Sequence, residues 1–215
     1  MDVFNDVDYS SRVYLIDDDD GFRTAVTRAL NAHGLNVVGY RCAGEYLLAS
    51  AADFPGCILL DMSMPGPNGM ELLEALAIRE TAPPVIFVTA CSDVSTSVRA
   101  IRSGAVDFLV KPVCTDSLLY CVAKAMRLDA KRRAARQAIR TVRECYATLT
   151  ESERAVLVGI ANGKLNKQLA GTLGTCERTI KTYRARAMTK MHAQSVADVV
   201  KAAAMLEIAG TMGGR

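Results

Sequence analysis

A chain of 215 residues suggests one large or two small domains, and at 50% hydrophobic and 23% charged it can bury a packed core and is too apolar for global disorder. No stretch approaches the roughly 20 apolar residues of a membrane helix. The acidic opening Met1-Asp2-Val3-Phe4-Asn5-Asp6 has no apolar run of a secretion signal, so a cytoplasmic protein without membrane contact is expected. The formal net charge of +3 hides an asymmetry: residues 1–126 hold 9 Lys+Arg against 16 Asp+Glu, a balance of −7, and residues 127–215 hold 17 against 7, a balance of +10. An acidic half joined to a basic half predicts two separate roles, with the basic half suited to phosphate backbones.

Along residues 10–125 apolar strands alternate with helical patterns. Arg12–Ile16 precedes Phe22, Val26, Ala29 and Leu30; Asn36–Tyr40 precedes Tyr46, Leu47 and Leu48; Cys57–Leu60 precedes Leu72, Leu73 and Leu76. Val85–Val88 precedes Val94, Val98 and Ile101, and Ala105–Val110 precedes Leu118, Leu119, Val122 and Met126. Such a (βα)5 order predicts a parallel sheet with helices on both faces. Ligands of such sheets bind at the carboxyl ends of strands. Those ends carry Asp17-Asp18-Asp19-Asp20, Asp61, Thr89-Ala90 and Lys111-Pro112.

These residue types suit phosphoryl chemistry. A carboxylate attacking a phosphoryl group meets repulsion that a hard divalent cation relieves, and Mg2+ prefers carboxylate, carbonyl and water oxygens. Asp17, Asp18 and Asp61 can supply the carboxylates, with Asp19 or Asp20 capping the next helix. Lys111, fed by an apolar strand, can neutralise phosphoryl oxygens as a point charge. Ala90, beside Thr89, is small. The seven cysteines (42, 57, 91, 114, 121, 145, 176) form no Cys-x-x-Cys pair and lie mostly in apolar patterns. They are expected to be small hydrophobes in a reducing compartment, with a redox role for Cys91 as the minor alternative.

The Asp17-Asp18 pair, the loop from Asp61 to Gly69, Thr89-Ala90 and Lys111-Pro112 occur in the order and at the spacing of one family. Over roughly residues 10–125 the chain resembles the receiver domain of two-component response regulators. The resemblance implies a flavodoxin-like strand order 2-1-3-4-5, Asp61 as phosphoacceptor and the Ser63 carbonyl as a further Mg2+ ligand. It also implies a cis Lys111–Pro112 bond and a hydroxyl contact from Thr89 to the phosphoryl group. On phosphorylation Thr89 moves inward, Phe108 rotates into the vacated space, and the face of Val94–Ser103, Val106–Val110 and the following helix forms a dimer surface.

No Gly or Pro interrupts the chain between Pro112 and Gly159, so residues 126–145 are expected to be a helical connector studded with arginines. Residues 146–208 then read as four helices. Thr150 and Glu153 form a capping box, Asn162-Gly163 ends the first helix, and Asn166–Ala170 makes a short second one. Leu173-Gly174 turns the chain into a basic helix from Glu177 to Met191, and Ser195 opens a last helix. Helix, tight turn and basic helix is the helix-turn-helix pattern.

This all-α half resembles the LuxR-type DNA-binding domain of the NarL/FixJ regulators, through Leu149-Thr150-x-x-Glu153, Val156-Leu157, Gly163, Asn166-Lys167, Ala170, Leu173-Gly174, Thr179-Ile180-Lys181 and Lys190-Met191. The resemblance implies DNA contacts by Arg178, Thr179, Lys181, Thr182, Arg184 and Arg186, with Asn166 and Lys167 on phosphates. Three residues depart from the family pattern: Cys176 stands at the usual Ser cap, Gly171 interrupts the second helix, and Tyr183 replaces a common His.

The expected protein is a non-enzymatic transcriptional response regulator that assists only its own aspartyl phosphorylation and dephosphorylation. Its expected partners are a cognate sensor histidine kinase, double-stranded promoter DNA and, on phosphorylation, a second copy, with RNA polymerase as a further candidate. Two alternatives differ in class. An aspartate-based hydrolase would need a second acid near Asp61, where Ser63 stands two residues on. A phosphorylation-independent DNA-binding regulator would use the first domain only as a dimer or ligand module.

Overall fold

The computed structural model describes residues 11–49, 54–90 and 93–208 (for Val94, the backbone only). The chain forms two compact units that divide between Arg133 and Ala134.

In the first unit, β1 (Arg12–Ile16), β2 (Asn36–Tyr40), β3 (Gly56–Asp61), β4 (Val85–Thr89) and β5 (Asp107–Val110) alternate with α1 (Asp20–Asn31), α2 (Ala43–Ala49), α3 (Gly69–Ala77) and α4 (Val94–Arg102), followed by α5 (Thr115–Ala147). The strands form one parallel sheet in the order β2-β1-β3-β4-β5. Successive residues of a strand face opposite sides. Val13 and Leu15 therefore join Val26, Leu30, Leu118 and Val122 on one side. Tyr14 and Ile16 join Tyr46, Leu72, Leu73 and Leu76 on the other. The central strand β3 is buried along all six residues, which explains its unbroken apolar run. On the second side Tyr46 meets Tyr14 and Tyr40 edge-on at 5.6 and 5.5 Å, and burial pushes its phenol up to about 12.

Two strands extend one residue further than their apolar runs suggest, so that Asp61 and Thr89 belong to β3 and β4 themselves. β5 starts at Asp107 rather than Ala105. Gly104 (φ 103°) bends the chain just before it, and Val106 reaches the sheet through one hydrogen bond to the Val85 carbonyl (2.8 Å). At the opposite end of the sheet, Gly56 (φ 153°) admits no side chain: a Cβ there would lie 1.9 Å from the Arg12 carbonyl oxygen.

α5 runs unbroken for 33 residues, about 50 Å at 1.5 Å per residue. Its first turns bury Leu118, Leu119, Val122 and Met126, and burial continues to Asp129.

The second unit contains α6 (Glu151–Ala161), α7 (Asn166–Thr172), α8 (Glu177–Lys190) and α9 (Val196–Met205). Their apolar faces enclose Leu149, Val156, Leu157, Leu169, Ile180, Ala187 and Val199, against which Val142 and Tyr146 of the last turns of α5 pack. Thr150 with Glu153, and Ser195 with Asp198, form capping boxes at the starts of α6 and α9. Gly171 does not interrupt α7, which continues to Thr172 with open space around the glycine. Cys176 caps α8 without a side-chain hydrogen bond to the helix backbone.

Candidate functional site

Register brings the site together. Ile16 lies opposite Leu60 in the β1–β3 pair, so Asp17 and Asp61, each one residue on, end neighbouring strands. Asp61 lies opposite Val88, and Thr89 opposite Val110, which places Lys111 beside them. The Lys111 N–H donates to the Thr89 carbonyl (2.8 Å), and the Lys111–Pro112 bond is cis.

Asp17 is fully buried and Asp61 is 5% exposed. The Lys111 ammonium lies 2.7 Å from Asp17 Oδ2 and 3.3 Å from Asp61 Oδ1. Asp17 Oδ1 accepts the Asp19 N–H (2.9 Å), and Asp61 Oδ2 accepts the Ser63 N–H (2.9 Å). Burial lifts the Asp17 carboxyl above its ordinary range; the Lys111 bond and the Asp19 N–H oppose this without cancelling it. Burial alone would lower Lys111, but the bond and charge of Asp17 and then the Asp61 charge hold its ammonium above the usual 10.5.

The loop after Asp61 is set by α3. Asn68 and Glu71 form a capping box, and the Gly69 N–H donates to the Met62 carbonyl (3.2 Å). A Cβ on Gly69 would lie 2.4 Å from the Asp61 carbonyl oxygen and 2.9 Å from the Phe87 ring. Only glycine lets the helix start this close to the carboxylate.

The other expected residues fall around this pair. Asp18 is exposed beside it, and Asp19 caps α1 by accepting the Gly21 and Phe22 N–H groups. Those two N–H groups hold the Asp19 carboxyl below its usual range. Thr89 is buried, Ala90 is exposed, and Phe108 is half-buried against the core on the Tyr14 side of the sheet. Cys91 lies outside the described residues. Of the six described cysteines, all free, Cys57 and Cys121 are buried while Cys114 and Cys176 are exposed.

Among the described residues no three His, Cys, Asp or Glu side chains are gathered to hold a metal ion, so Asp17, Asp18 and Asp61 are not drawn together as one three-carboxylate set. Two buried carboxylates with one ammonium leave a net negative charge, and Asp18 stands next to them at the solvent side. That donor set fits Mg2+, which keeps several waters and is commonly held by one or two carboxylates plus phosphate oxygens.

Sequence patterns missed two contributors. Arg23 donates to the Asp17 carbonyl and to the Asp20 carboxylate, fixing the turn that carries the acids. Its only signal was the three-residue spacing from Asp20. Phe22 sits with its ring centroid 4.1 Å from the Lys111 ammonium; its apolar character suggested only core.

In the second unit Lys167, Arg178, Lys181, Thr182 and Arg186 are exposed, and Asn166, Thr179 and Arg184 are half-buried. Arg178, Lys181 and Thr182 share one face of α8, at helical spacings of three and four. Some polar groups are already engaged. The Thr182 hydroxyl donates to the Arg178 carbonyl (3.1 Å), Thr179 Oγ1 lies 3.2 Å from Cys176 Sγ, and Arg184 reaches Asn166 Oδ1 at 3.5 Å. Lys190 turns inward, to Glu153 (2.6 Å) and the Thr148 carbonyl (3.2 Å).

The family of response regulator receiver domains matches residues 13–123, and that of bacterial regulatory proteins of the luxR family matches residues 147–203. The chain is 37% identical over 196 residues to Nodulation protein W of Bradyrhizobium diazoefficiens, covering 91% of this chain and 86% of that protein. It is 36% identical over 197 residues to the transcriptional regulatory protein FixJ of Azorhizobium caulinodans, covering 92% and 93%. The solved structure of the response regulator StyR superposes with a TM-score of 0.82 at 35% identity, covering 91% of this chain and 98% of that one. The chain belongs to the NarL/FixJ family of two-component response regulators, with a receiver domain and a LuxR-type DNA-binding helix-turn-helix domain. Among the described residues no helix is long and apolar enough to cross a membrane.

Proposed function

We propose that Asp61 accepts a phosphoryl group from a phosphohistidine of a cognate sensor kinase, and that this modification controls dimerisation and promoter binding in the cytoplasm. The observation that supports it most directly is the pair of buried carboxylates, Asp17 and Asp61, sharing Lys111 at the carboxyl ends of adjacent strands. A carboxylate oxygen of Asp61 attacks phosphorus, the P–N bond breaks, and its electron pair leaves with the imidazole. The Ser63 N–H holds Oδ2, which leaves Oδ1, on the Lys111 side, oriented for attack. Lys111 then balances charge on the transferred oxygens, and the Thr89 hydroxyl donates to one of them. Asp17, Asp18, Asp61 and the Ser63 carbonyl would hold Mg2+, which when bound offsets the charge shared by the carboxylates and the phosphoryl group. Beyond assisting its own phosphorylation and dephosphorylation, the chain carries out no catalysis.

Val98 and Ile101 of α4, Val110 of β5 and Tyr120 of α5 are exposed, which supports this face as the surface where two phosphorylated copies meet. The transferred charge draws Thr89 inward and Phe108 follows. It moves the equilibrium only as far as it interacts differently with the two states. The exposed cationic residues of α8 (Arg178, Lys181 and Arg186) would face DNA, with Lys167 on a phosphate.

Intact mass after incubation with Mg2+ and acetyl phosphate, beside Asp61→Asn, tests the reading. One added phosphoryl group on the wild type alone is expected, together with phosphate-dependent DNA affinity. No adduct at short times on folded protein, with equal DNA affinity of wild type and Asp61→Ala, would favour a phosphorylation-independent regulator instead.

A further inference from the structure

We infer that Phe22 is a positioning residue for Lys111, holding its ammonium over the aromatic face so that it stays available to Asp61. The inference rests on the proposed function. Lys111 meets Asp17 Oδ2 at 2.7 Å and Asp61 Oδ1 at 3.3 Å, and its ammonium lies 4.1 Å from the Phe22 ring centroid. The closer partner is the one that takes no phosphoryl group. A flexible lysine stem attracted by two carboxylates settles on the nearer acid unless something else bounds it. The negative face of the ring attracts the ammonium from a direction that neither carboxylate occupies, and it shields that side from water.

The ring is itself well anchored. Phe22 lies in the first turn of α1, where the Asp19 carboxylate accepts both its own N–H (3.0 Å) and that of Gly21 (2.8 Å). The side chain is half-buried against the cluster of Val13, Leu15, Val26 and Leu30. Arg23, the next residue, ties the same turn to the Asp17 carbonyl. One capped turn thus carries both the ring that faces the ammonium and the arginine that fixes the acid. The ring packs on this cluster with its face turned to the ammonium that meets both acids.

The full-length chain with selectively 13C-labelled lysine, as wild type, Phe22→Leu and Phe22→Tyr, provides the test. Lys111→Arg identifies the Lys111 signal. The ring current of Phe22 should shift the Lys111 ε-methylene protons upfield in the wild type and in Phe22→Tyr, and Phe22→Leu should lose the shift. Phosphorylation by acetyl phosphate with Mg2+ should slow by roughly two- to fivefold in Phe22→Leu, the rate equivalent of one solvent-accessible cation–π contact, and recover in Phe22→Tyr. A folded Phe22→Leu protein that keeps the upfield shift, or loses it without slowing, would overturn the inference. If the wild type itself takes up no phosphoryl group, the functional reading falls, while the methylene shift still decides whether the ring holds the ammonium.

Discussion

Asp129 of α5 accepts a hydrogen bond from the Gly56 N–H at 2.9 Å, joining two residues 73 positions apart. Its Oδ2 also takes Arg133 Nε at 2.7 Å, and Arg133 Nη2 donates to the Phe54 carbonyl at 2.8 Å. Asp129 is 1% exposed. A buried carboxylate persists only where donors replace its hydration, so this end of the sheet and α5 are tied by charge as well as by apolar packing. Asp129→Ala removes the acceptor from the Gly56 N–H and from Arg133. The receiver transition in urea, followed by circular dichroism, should show a loss of about 2–4 kcal/mol.

Gly69→Ala should affect both stability and chemistry. The added Cβ has backbone and a core ring inside contact distance, so α3 must move away from Asp61. Overpacking of this kind costs about 1–3 kcal/mol. Thermal melting should show that loss. Phosphoryl uptake by mass spectrometry should fall together with it, because the Ser63 N–H that orients Asp61 lies on the displaced loop.

Acid should loosen the helix-turn-helix unit through Glu153. The Lys190 hydrogen bond, then the Thr150 N–H, hold its carboxyl below the usual 4.5. A depressed folded value contributes stability above the unfolded value of 4.5, and that contribution is lost as pH falls through the lower folded value. Melting of the second unit from pH 7 down to pH 3 should decline more steeply in wild type than in Glu153→Gln. Parallel profiles would count against the pair.

Two lysines of α8 should behave differently toward DNA. Lys181 is exposed and Lys190 is bonded to Glu153. Lys181→Ala should weaken binding and flatten the slope of log affinity against log salt by about 1. Lys190→Gln should lower the melting temperature and leave that slope unchanged. Fluorescence anisotropy across a salt series separates the two.

Strand positions, the αβ order and the charged strand ends were legible because buried parallel strands leave unbroken apolar runs, and Asp61 and Lys111 end such runs. The capping box at Thr150 was equally legible, since Glu153 stands three residues on; Ser195 was legible as a helix start, and its box with Asp198 emerged only in the structure. The start of β5 was not: Ala105 and Val106 have the right character, and the bend at Gly104 decides otherwise. Phe22 and Asp129 were illegible for a different reason. A phenylalanine on an amphipathic helix carries no mark that its face meets an ammonium, and an aspartate within a basic helix carries no mark that a glycine N–H 73 residues away awaits it. Pairwise contacts of high sequence separation are fixed by tertiary packing, which local patterns do not encode.

Strand β3 has the Asp129 contact at its first residue, Gly56, and the Asp61 carboxylate at its last. All six of its residues are buried. A slip of one residue would exchange its two faces, and a slip of two, which preserves them, would carry Asp61 about 6.6 Å along the sheet. Either displacement would break the 3.3 Å approach of Asp61 to Lys111. The strand therefore works as a ruler: its length and its fixed far end set the height at which the carboxylate meets its charge partner.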